Sequence, residues 1–450
     1  MRQFCRACFF LCLGMSLCLS QATDGSPSGS LPLLTLSDAI ALAAKQNKQV
    51  QISALDIAKA AEGTSQAKTQ RLPQFSLYVH GGASLREVNF TIPQGALGTF
   101  PATGPIPAQD ANIRSPQRLT GLVYGSAAQP LSQLYKVGLA VKESRIGEQF
   151  AREKLRQQTQ ETAQQVKQAY FQLTQTQSQI ASGEISLKYL EELSAYTNRN
   201  LAEETALKAD SLGVKAKLGQ QRYQLLTWHD TLATQKESLN LLLGRDLRTD
   251  FTIEIQPVPS LSETDLSVAQ HQALEQRPEL RQARLQSRKT ELDIRRERAE
   301  YLPNFSLQVS YLSFPNVNFI PQNIVSAGFL LQWQPYDWGQ KKHKIAELRS
   351  TAKQATLTEQ DAQQRILLDV NSSYRKLMEA RVLLDTQAAV QEAEREKLRV
   401  VTNRYEQKSA LLTDALQQQN SLAQADTQFQ QALAGFWTAK AGFDRALGEQ

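Results

Sequence analysis

A six-residue sequence occurs twice in this chain of 450 residues and constrains its fold more than any other feature. Residues 72–77 read Leu-Pro-Gln-Phe-Ser-Leu, and residues 302–307, which lie 230 positions later, read Leu-Pro-Asn-Phe-Ser-Leu. In both copies a Gln- and Ala-rich pattern with helical spacing precedes the Leu-Pro pair, and alternating apolar and polar residues follow it. Because proline cannot continue a helix, each copy marks a change from helix to strand. The sequence therefore predicts a tandem duplication.

Shorter matches extend the duplication at offsets of 205 and 204 residues. They are Gln-Pro at 129–130 and 334–335, Thr-Asn-Arg at 197–199 and 402–404, and Leu-Gly at 243–244 and 447–448. The fall of the offset by 25 residues places one large insertion between the paired strands of the first copy. Each unit is predicted to contain a helix, two strands, a long helix and a returning helix.

The N-terminus has the pattern of a secretory signal peptide, predicted at residues 1–22. Arg2 and Arg6 precede an apolar run, and small residues stand before a cut after residue 22. All four cysteines lie in this segment, so the mature chain is expected to have no disulfide and no thiol site. The formal charge of +6 falls to +4 when the two arginines are lost, which gives no basic footprint for nucleic acid.

Four segments follow the signal peptide in the predicted organisation. A flexible leader occupies residues 23–33, the first unit 34–244, an irregular linker 245–263, and the second unit 264–448. The linker is predicted to hold a short strand at 251–255.

The helix that opens each unit is predicted to run unbroken to the Leu-Pro pair. The first reaches Arg71, with Ser37 as its cap, and the second reaches Tyr301.

Four strands are predicted, at about 74–85, 118–129, 304–314 and 324–334, from alternation of apolar and polar residues. The segment 86–117, rich in proline and glycine, is predicted to be a long exposed loop.

Aromatic residues flank the second hairpin: Trp333, Tyr336 and Trp338 at one end, Phe314 and Phe319 at the other. Strands of about ten residues with one apolar face and two aromatic girdles are typical of a membrane β-barrel. A half-buried hairpin of a soluble protein alternates in the same way, so both interpretations remain open here.

Long helices connect these hairpins to the opposite end of the molecule. No proline occurs at 132–201, and apolar residues recur there at heptad spacing with one polar position: Val166, Tyr170, Leu173, Gln177 and Ile180. Roughly 70 residues would form a rod of about 105 Å. The returning helix at 210–243 and the climbing helix of the next unit together have the same length, so we expect them to lie end to end beside one long helix.

Four strands are too few to close a membrane barrel, for which about eight are needed. Open sheet edges in lipid would leave backbone groups unpaired. Strands that span a membrane would therefore have to be shared: two chains would give eight strands, and three would give twelve.

This arrangement resembles the TolC-like outer-membrane efflux proteins over residues 34–448. The motifs are Leu72-Pro73 with Phe75, Leu302-Pro303 with Phe305, Gln129-Pro130-Leu131, Gln334-Pro335-Tyr336-Asp337-Trp338-Gly339, Leu241-Leu242-Leu243-Gly244-Arg245 and Arg404-Tyr405. The resemblance implies a mainly α chain with a β-barrel. It further implies a homotrimer with a 12-stranded outer-membrane barrel on a periplasmic α-helical tunnel, which conducts substrates delivered by an inner-membrane pump or ABC transporter through a periplasmic adaptor.

At the helix tips the resemblance implies a gate. The candidate residues are Asp210, Asp414, Tyr405, Arg404, Lys208, Lys408, Glu203 and Glu204. Two departures from the family stand out: the usual tip glycines are missing, and the arginine that some members carry five residues after the tyrosine is Ala410 here. Rings of aspartates around one axis would favour cations and resist closure unless bases neutralise them. The alternative is that the two aspartates start the returning helices, where a carboxylate suits the N-terminal dipole; this role is favoured over the gate and does not exclude it.

No catalytic motif or metal-ligand spacing accompanies these features, so we expect no enzyme activity and no cofactor. The four histidines, His80, His229, His271 and His343, lie far apart and are interpreted as structural or surface residues. The alternative function is a soluble periplasmic coiled-coil adaptor or scaffold.

Overall fold

The computed structural model describes residues 32–83, 85–86, 88–115, 119–204, 207–254, 257, 265–315, 321–407 and 409–449. The predicted signal peptide and most of the predicted leader lie outside these ranges. The elements of the first unit are β1 Leu33–Leu34, α1 Leu36–Gln46, α2 Lys48–Thr69, β2 Gln74–Ala83, β3 Val88–Ile92, β4 Thr99–Phe100, β5 Gly104–Pro105, β6 Ala111–Ser115, β7 Leu119–Pro130, α3 Gln133–Ala202 and α4 Lys208–Leu243. The remaining elements are β8 Thr252–Ile253, α5 Leu266–Gln276, α6 Pro278–Ala299, β9 Asn304–Ser313, β10 Asn323–Gln332, α7 Gln340–Glu406 and α8 Leu412–Leu447.

The two hairpins join into one antiparallel sheet of four strands in the order β10-β9-β7-β2. Within the sheet the two units meet at the β7–β9 pair, in which Ser126 lies opposite Ser310. Within the hairpins, Ser76 pairs with Ser126 and Ser310 pairs with Ser326. Ser76, Ser126, Ser310 and Ser326 therefore lie in one row across the sheet.

Long helices form the rest of the molecule. The helix α3 has 70 residues, which corresponds to about 105 Å, and it packs against α2, α4, α6 and α8. Four of its five predicted heptad positions are buried, and the exception is the polar Gln177. Within the described ranges, no helix combines the length and the apolarity needed to cross a membrane.

The predicted opening helices are wrong in one respect, because each is two helices. The first breaks at Asn47, whose side chain accepts hydrogen bonds from the backbone N–H groups of Gln49 and Val50 and so starts α2. The second breaks before Pro278, which occupies the first position of α6. The cap of α1 is Thr35, not Ser37, since the Thr35 hydroxyl accepts from the N–H of Asp38 at 3.2 Å.

These breaks receive the ends of the returning helices of the same unit. Asn47 Nδ2 donates to the carbonyl of Leu242 at 2.8 Å, and Gly244 lies against the backbone of Gln46. In the second unit Arg277, only 6% exposed, forms ion pairs with Asp369 at 2.7 Å and Glu279 at 3.0 Å.

Opposite the same break, Gly448 lies against Gln276. The expectation that α4 lies end to end with the opening helix of the next unit is therefore wrong. The end of α4 instead meets the start of α2 in its own unit.

Two segments expected to be irregular contain strands. In the predicted loop 86–117, β3 pairs with β6 and β4 with β5, and Asp110 accepts from the N–H of Gln94 at 2.7 Å. The described part of the insertion thus contains two pairs of antiparallel strands.

Near the middle of the rods, the parallel pair β1–β8 includes Leu33, which was predicted to end the flexible leader. Of the predicted strand 251–255, the described residues 251–254 contain the two-residue strand β8, and Phe251 before it lies fully buried in the core with the guanidinium of Arg245 4.6 Å from its ring.

Candidate functional site

One face of the four-stranded sheet is apolar and uncovered. Its large side chains are between 41% and 81% exposed: Phe75, Leu77, Val79, Leu307, Val309, Tyr311, Val325, Phe329 and Leu331. A surface of this kind is typical of a membrane or protein contact.

The opposite face carries hydroxyl and amide groups. The hydroxyls of Ser76 and Ser126 lie 2.7 Å apart, as do those of Ser310 and Ser326. Next to this row, the amide of Gln308 donates to the hydroxyl of Tyr124 at 2.9 Å. Alternation along the strands therefore separates an apolar face from a polar one.

The predicted aromatic residues at the helical end of the sheet are exposed. Trp333 is 59%, Tyr336 66% and Trp338 86% exposed, and the rings of the last two lie 4.9 Å apart. The indole N–H of Trp333 donates to the carbonyl of Tyr301 at 3.3 Å. At the other end of the hairpin, the N–H of Phe314 donates to the carbonyl of Gln322 at 3.0 Å. Phe319 lies outside the described residues.

Side chains at the start of α3 attach the second hairpin to the first unit. Ser132 donates to the carbonyl of Pro303 at 2.8 Å and accepts from the N–H of Phe305 at 2.7 Å. Lys136 bridges Glu300 at 2.8 Å and Asn304 at 2.9 Å. The repeated Leu-Pro segment is therefore fixed at the junction between sheet and rods.

At the opposite end, the two predicted aspartates stand at equivalent positions. Asp210 accepts from the N–H of Leu207 at 3.4 Å, and Asp414 accepts from the N–H of Leu411 at 3.2 Å. Each carboxylate therefore lies in the first turn of its helix, where the helix dipole stabilises a negative charge.

Tyr405 lies between the ends of the two hairpins α3–α4 and α7–α8. Its hydroxyl is hydrogen bonded to Thr197, and its ring lies 5.6 Å from that of Tyr196. It also packs beside the buried Leu193 and Leu412. Burial raises the pKa of the Tyr405 phenol, and the hydrogen bond with Thr197 opposes this shift.

The other predicted tip residues are exposed: Arg404, Lys208, Glu203 and Glu204. Glu204 has a φ of 54°, a conformation that glycine adopts more easily, so the tip turn keeps its left-handed residue although the glycine is missing. Among the described residues, Arg404 and Lys208 form no ion pair. Lys408 lies outside the described residues.

A row of polar contacts between the two hairpins was not predicted. The pair nearest the tips is Tyr405 with Thr197. Further from the tips, the hydroxyls of Tyr189 and Thr402 lie 3.2 Å apart, and beyond them the amide of Gln419 donates to the hydroxyl of Ser186 at 2.8 Å. We call these three pairs the hairpin seam. The repeated Thr-Asn-Arg sequence could have indicated the hairpin seam, because its two threonines, Thr197 and Thr402, both take part in these pairs.

Comparison with known proteins agrees with this architecture. Residues 269–449 match the family model described as outer membrane efflux protein. No curated protein matches the chain by sequence.

Solved structures match nearly the whole chain at low identity. The outer membrane protein VceC from Vibrio cholerae is 14% identical, with a TM-score of 0.72 over 92% of this chain and 96% of that one. The outer membrane channel CmeC of Campylobacter jejuni is 14% identical, with a TM-score of 0.73 over 92% and 85%. The Neisseria gonorrhoeae outer membrane channel MtrE, in its open state, is 16% identical, with a TM-score of 0.70 over 92% and 89%.

At these identities the structures establish the fold alone, and the family match covers residues 269–449. The resemblance predicted from the sequence is thus confirmed: residues 269–449 match the outer membrane efflux proteins, the chain has the fold of the outer-membrane channels, and the outer membrane is the location that this family has.

Proposed function

We propose that three copies of this chain form an outer-membrane exit duct, which passively conducts substrates delivered by an inner-membrane transporter. The observation that carries the proposal is a sheet with an uncovered apolar face, attached to helical rods of about 105 Å. The apolar face would contact lipid, and the exposed aromatic rings near Trp333 would lie at the membrane interface.

The strand order supports closure by three chains. Neighbouring strands are antiparallel throughout, and the free edges β2 and β10 run in opposite directions. Copies joined edge to edge would therefore continue the antiparallel pattern. Three copies would give 12 strands, enough for an open lumen lined by the serine row, whereas two would give eight and a filled interior.

The helix tips are the proposed gate. Three copies of Asp210 and of Asp414 would bring carboxylates close to one axis, which favours cations. The capping bonds already described are compatible with this role, since the carboxylates are not fully buried. Arg404 and Lys208, which are exposed near these aspartates, are the bases that we propose to offset the charge. The hairpin seam would hold the tips together until the gate opens.

The proposed partner at the tips is a periplasmic adaptor that belongs to a tripartite efflux pump or a type I secretion system. Leu207 is 70%, Leu411 68% and Leu212 56% exposed at this end, so apolar side chains are available for contact. The soluble-adaptor alternative is not retained, because no observation favours it over the channel fold.

Export from intact cells tests the duct. Deletion of the gene is expected to abolish export of at least one efflux or secretion substrate, and the full chain supplied in trans should restore it. Protein extracted from the outer membrane in detergent should have three times the mass of the processed chain. Unchanged export of every substrate tested, or a monomer in the soluble fraction, would contradict the proposal.

A further inference from the structure

A cavity of about 380 Å³ lies between the two hairpins α3–α4 and α7–α8. Its lining on α3 begins at Gln179 and ends at Tyr189, so it lies roughly 20–35 Å from the tip at 1.5 Å per residue. The volume is that of a site for a small molecule, and most of the lining surface is apolar. Helices of both hairpins line it, so anything bound there would contact both.

An indole forms one wall of the cavity. Trp228 of α4 lies directly against α3 at Gly183, where a Cβ would come within 2.6 Å of the indole Cζ3. Only glycine leaves this space, although it costs a helix interior about 0.5–1 kcal/mol relative to alanine. On the same side, the amide of Gln221 donates to the carbonyl of Gly183 at 3.0 Å. Packing of Trp228 and the hydrogen bond of Gln221 thus hold α4 against α3 beside the cavity.

The same cavity is lined by a carboxylate whose negative charge is only weakly balanced by neighbouring groups. The Asp426 side chain is 18% exposed, and it accepts one hydrogen bond, from Gln391 at 2.8 Å. The nearest cation in the described chain is Arg395, at 3.9 Å and itself 66% exposed. A negative charge at the edge of an apolar space favours a cation that replaces its lost water.

We propose that this cavity binds a small organic cation, whose charged group pairs with Asp426 while its apolar part lies against Trp228. An indole face attracts a cation as well as apolar groups, so both walls favour the same chemistry. Because the ligand would touch α3, α4 and α8 together, its binding is coupled to the relative position of the two hairpins. The site is independent of the proposed duct function.

Protection of an introduced thiol tests the site, since all four cysteines precede residue 23 and the processed chain is expected to lack them. The Ser182→Cys variant of the full chain places a thiol in the cavity lining. Methyl methanethiosulfonate would be used to modify it in the presence of benzyltrimethylammonium. We expect this cation to slow modification in a saturable way. The Asp426→Asn substitution should raise the half-protecting concentration about tenfold, as for the loss of a charged partner.

Matched controls separate cation binding from other effects. Asp385→Asn removes an exposed aspartate that does not line the cavity, and it should leave protection unchanged. The uncharged isostere 2,2-dimethylpropylbenzene should not protect at the same concentrations, and an exposed thiol from Ser350→Cys should not be protected by either compound. Absence of protection, equal protection in the Asp426→Asn variant, equal protection by the isostere, or equal protection at position 350 would each overturn the proposal.

Discussion

Two tyrosines of the hairpin seam show how single side chains connect the hairpins. Burial raises the pKa of both Tyr405 and Tyr189 above the ordinary value of 10.0, and their hydrogen bonds with Thr197 and Thr402 oppose the shift. The nearby Asp210 adds to the shift of Tyr405. The folded protein therefore favours the neutral phenol, which also keeps its hydroxyl hydrogen for bonding.

The sign of the pH dependence follows from these shifts. As pH rises past about 10, the phenol of Tyr405 loses its proton first in the unfolded chain. Its contribution to the free energy of unfolding is therefore complete below pH 10 and is lost as pH rises through the pKa of the folded state. We expect the difference between the 295 nm titrations of the native chain and of Tyr405→Phe to have its midpoint above pH 10. The variant must keep the oligomeric mass of the native chain. A midpoint at or below 10 would mean that the phenol is not desolvated.

At the scale of elements, the joint between α4 and the α1–α2 break depends on a residue without a side chain. Gly244 has a φ of 72°, and a Cβ there would overlap the carbonyl of Gln46. The N–H groups of Gly244 and Arg245 close the helix end by donating to Leu241 and Asn240, both at 3.1 Å. Gly244 therefore both ends α4 and allows the backbone of Gln46 to approach closely.

Substitution of this glycine is expected to loosen the joint. Gly244→Ala should lower the free energy of unfolding by at least about 2 kcal/mol, from left-handed strain plus the overlap with backbone atoms. Thermal unfolding followed by helical circular dichroism would measure the change. Gly63→Ala in α2 is the matched control: its Cβ meets no atom within 4 Å, so it should stabilise the helix by up to about 1 kcal/mol. Equal melting temperatures for the two variants would refute this account of the joint.

At the scale of the whole molecule, the sheet ends in two free edges. Each unpaired backbone group in lipid is destabilising by several kcal/mol, so the edges β2 and β10 require partners if the sheet spans a membrane. Neighbouring copies supply them without any change of fold.

Cross-linking between edges tests this arrangement. Ser76→Cys on β2, combined in turn with Ile324→Cys, Ser326→Cys or Gly328→Cys on β10, places thiols on one face of both edges. At least one pair should give disulfide-linked dimers and trimers on a denaturing gel without reductant. The four single substitutions are the controls. If every pair stayed monomeric in the outer membrane, the edges would not meet.

Features that depend on periodicity were predictable from the sequence alone. Alternation around residues 72–77 and 302–307 specified the two faces of the sheet, because side chains of a strand point alternately to opposite sides. The buried heptad positions of α3 were predictable because residues three and four positions apart lie on one face of a helix. The position of Asp210 and Asp414 at the starts of the returning helices was also predictable, since a carboxylate in the first turn has a local cause.

Contacts between distant segments were not predictable in this way, because they depend on how the folded helices pack. The breaks at Asn47 and Pro278 receive helix ends about 200 and 170 residues away, a pairing that no local pattern contains. The hairpin seam and the cavity beside Trp228 likewise arise where α3 and α8 converge. Contacts of this kind follow from how four rods pack against one another, and the packing is selected by the total burial of their apolar stripes, not by any single residue.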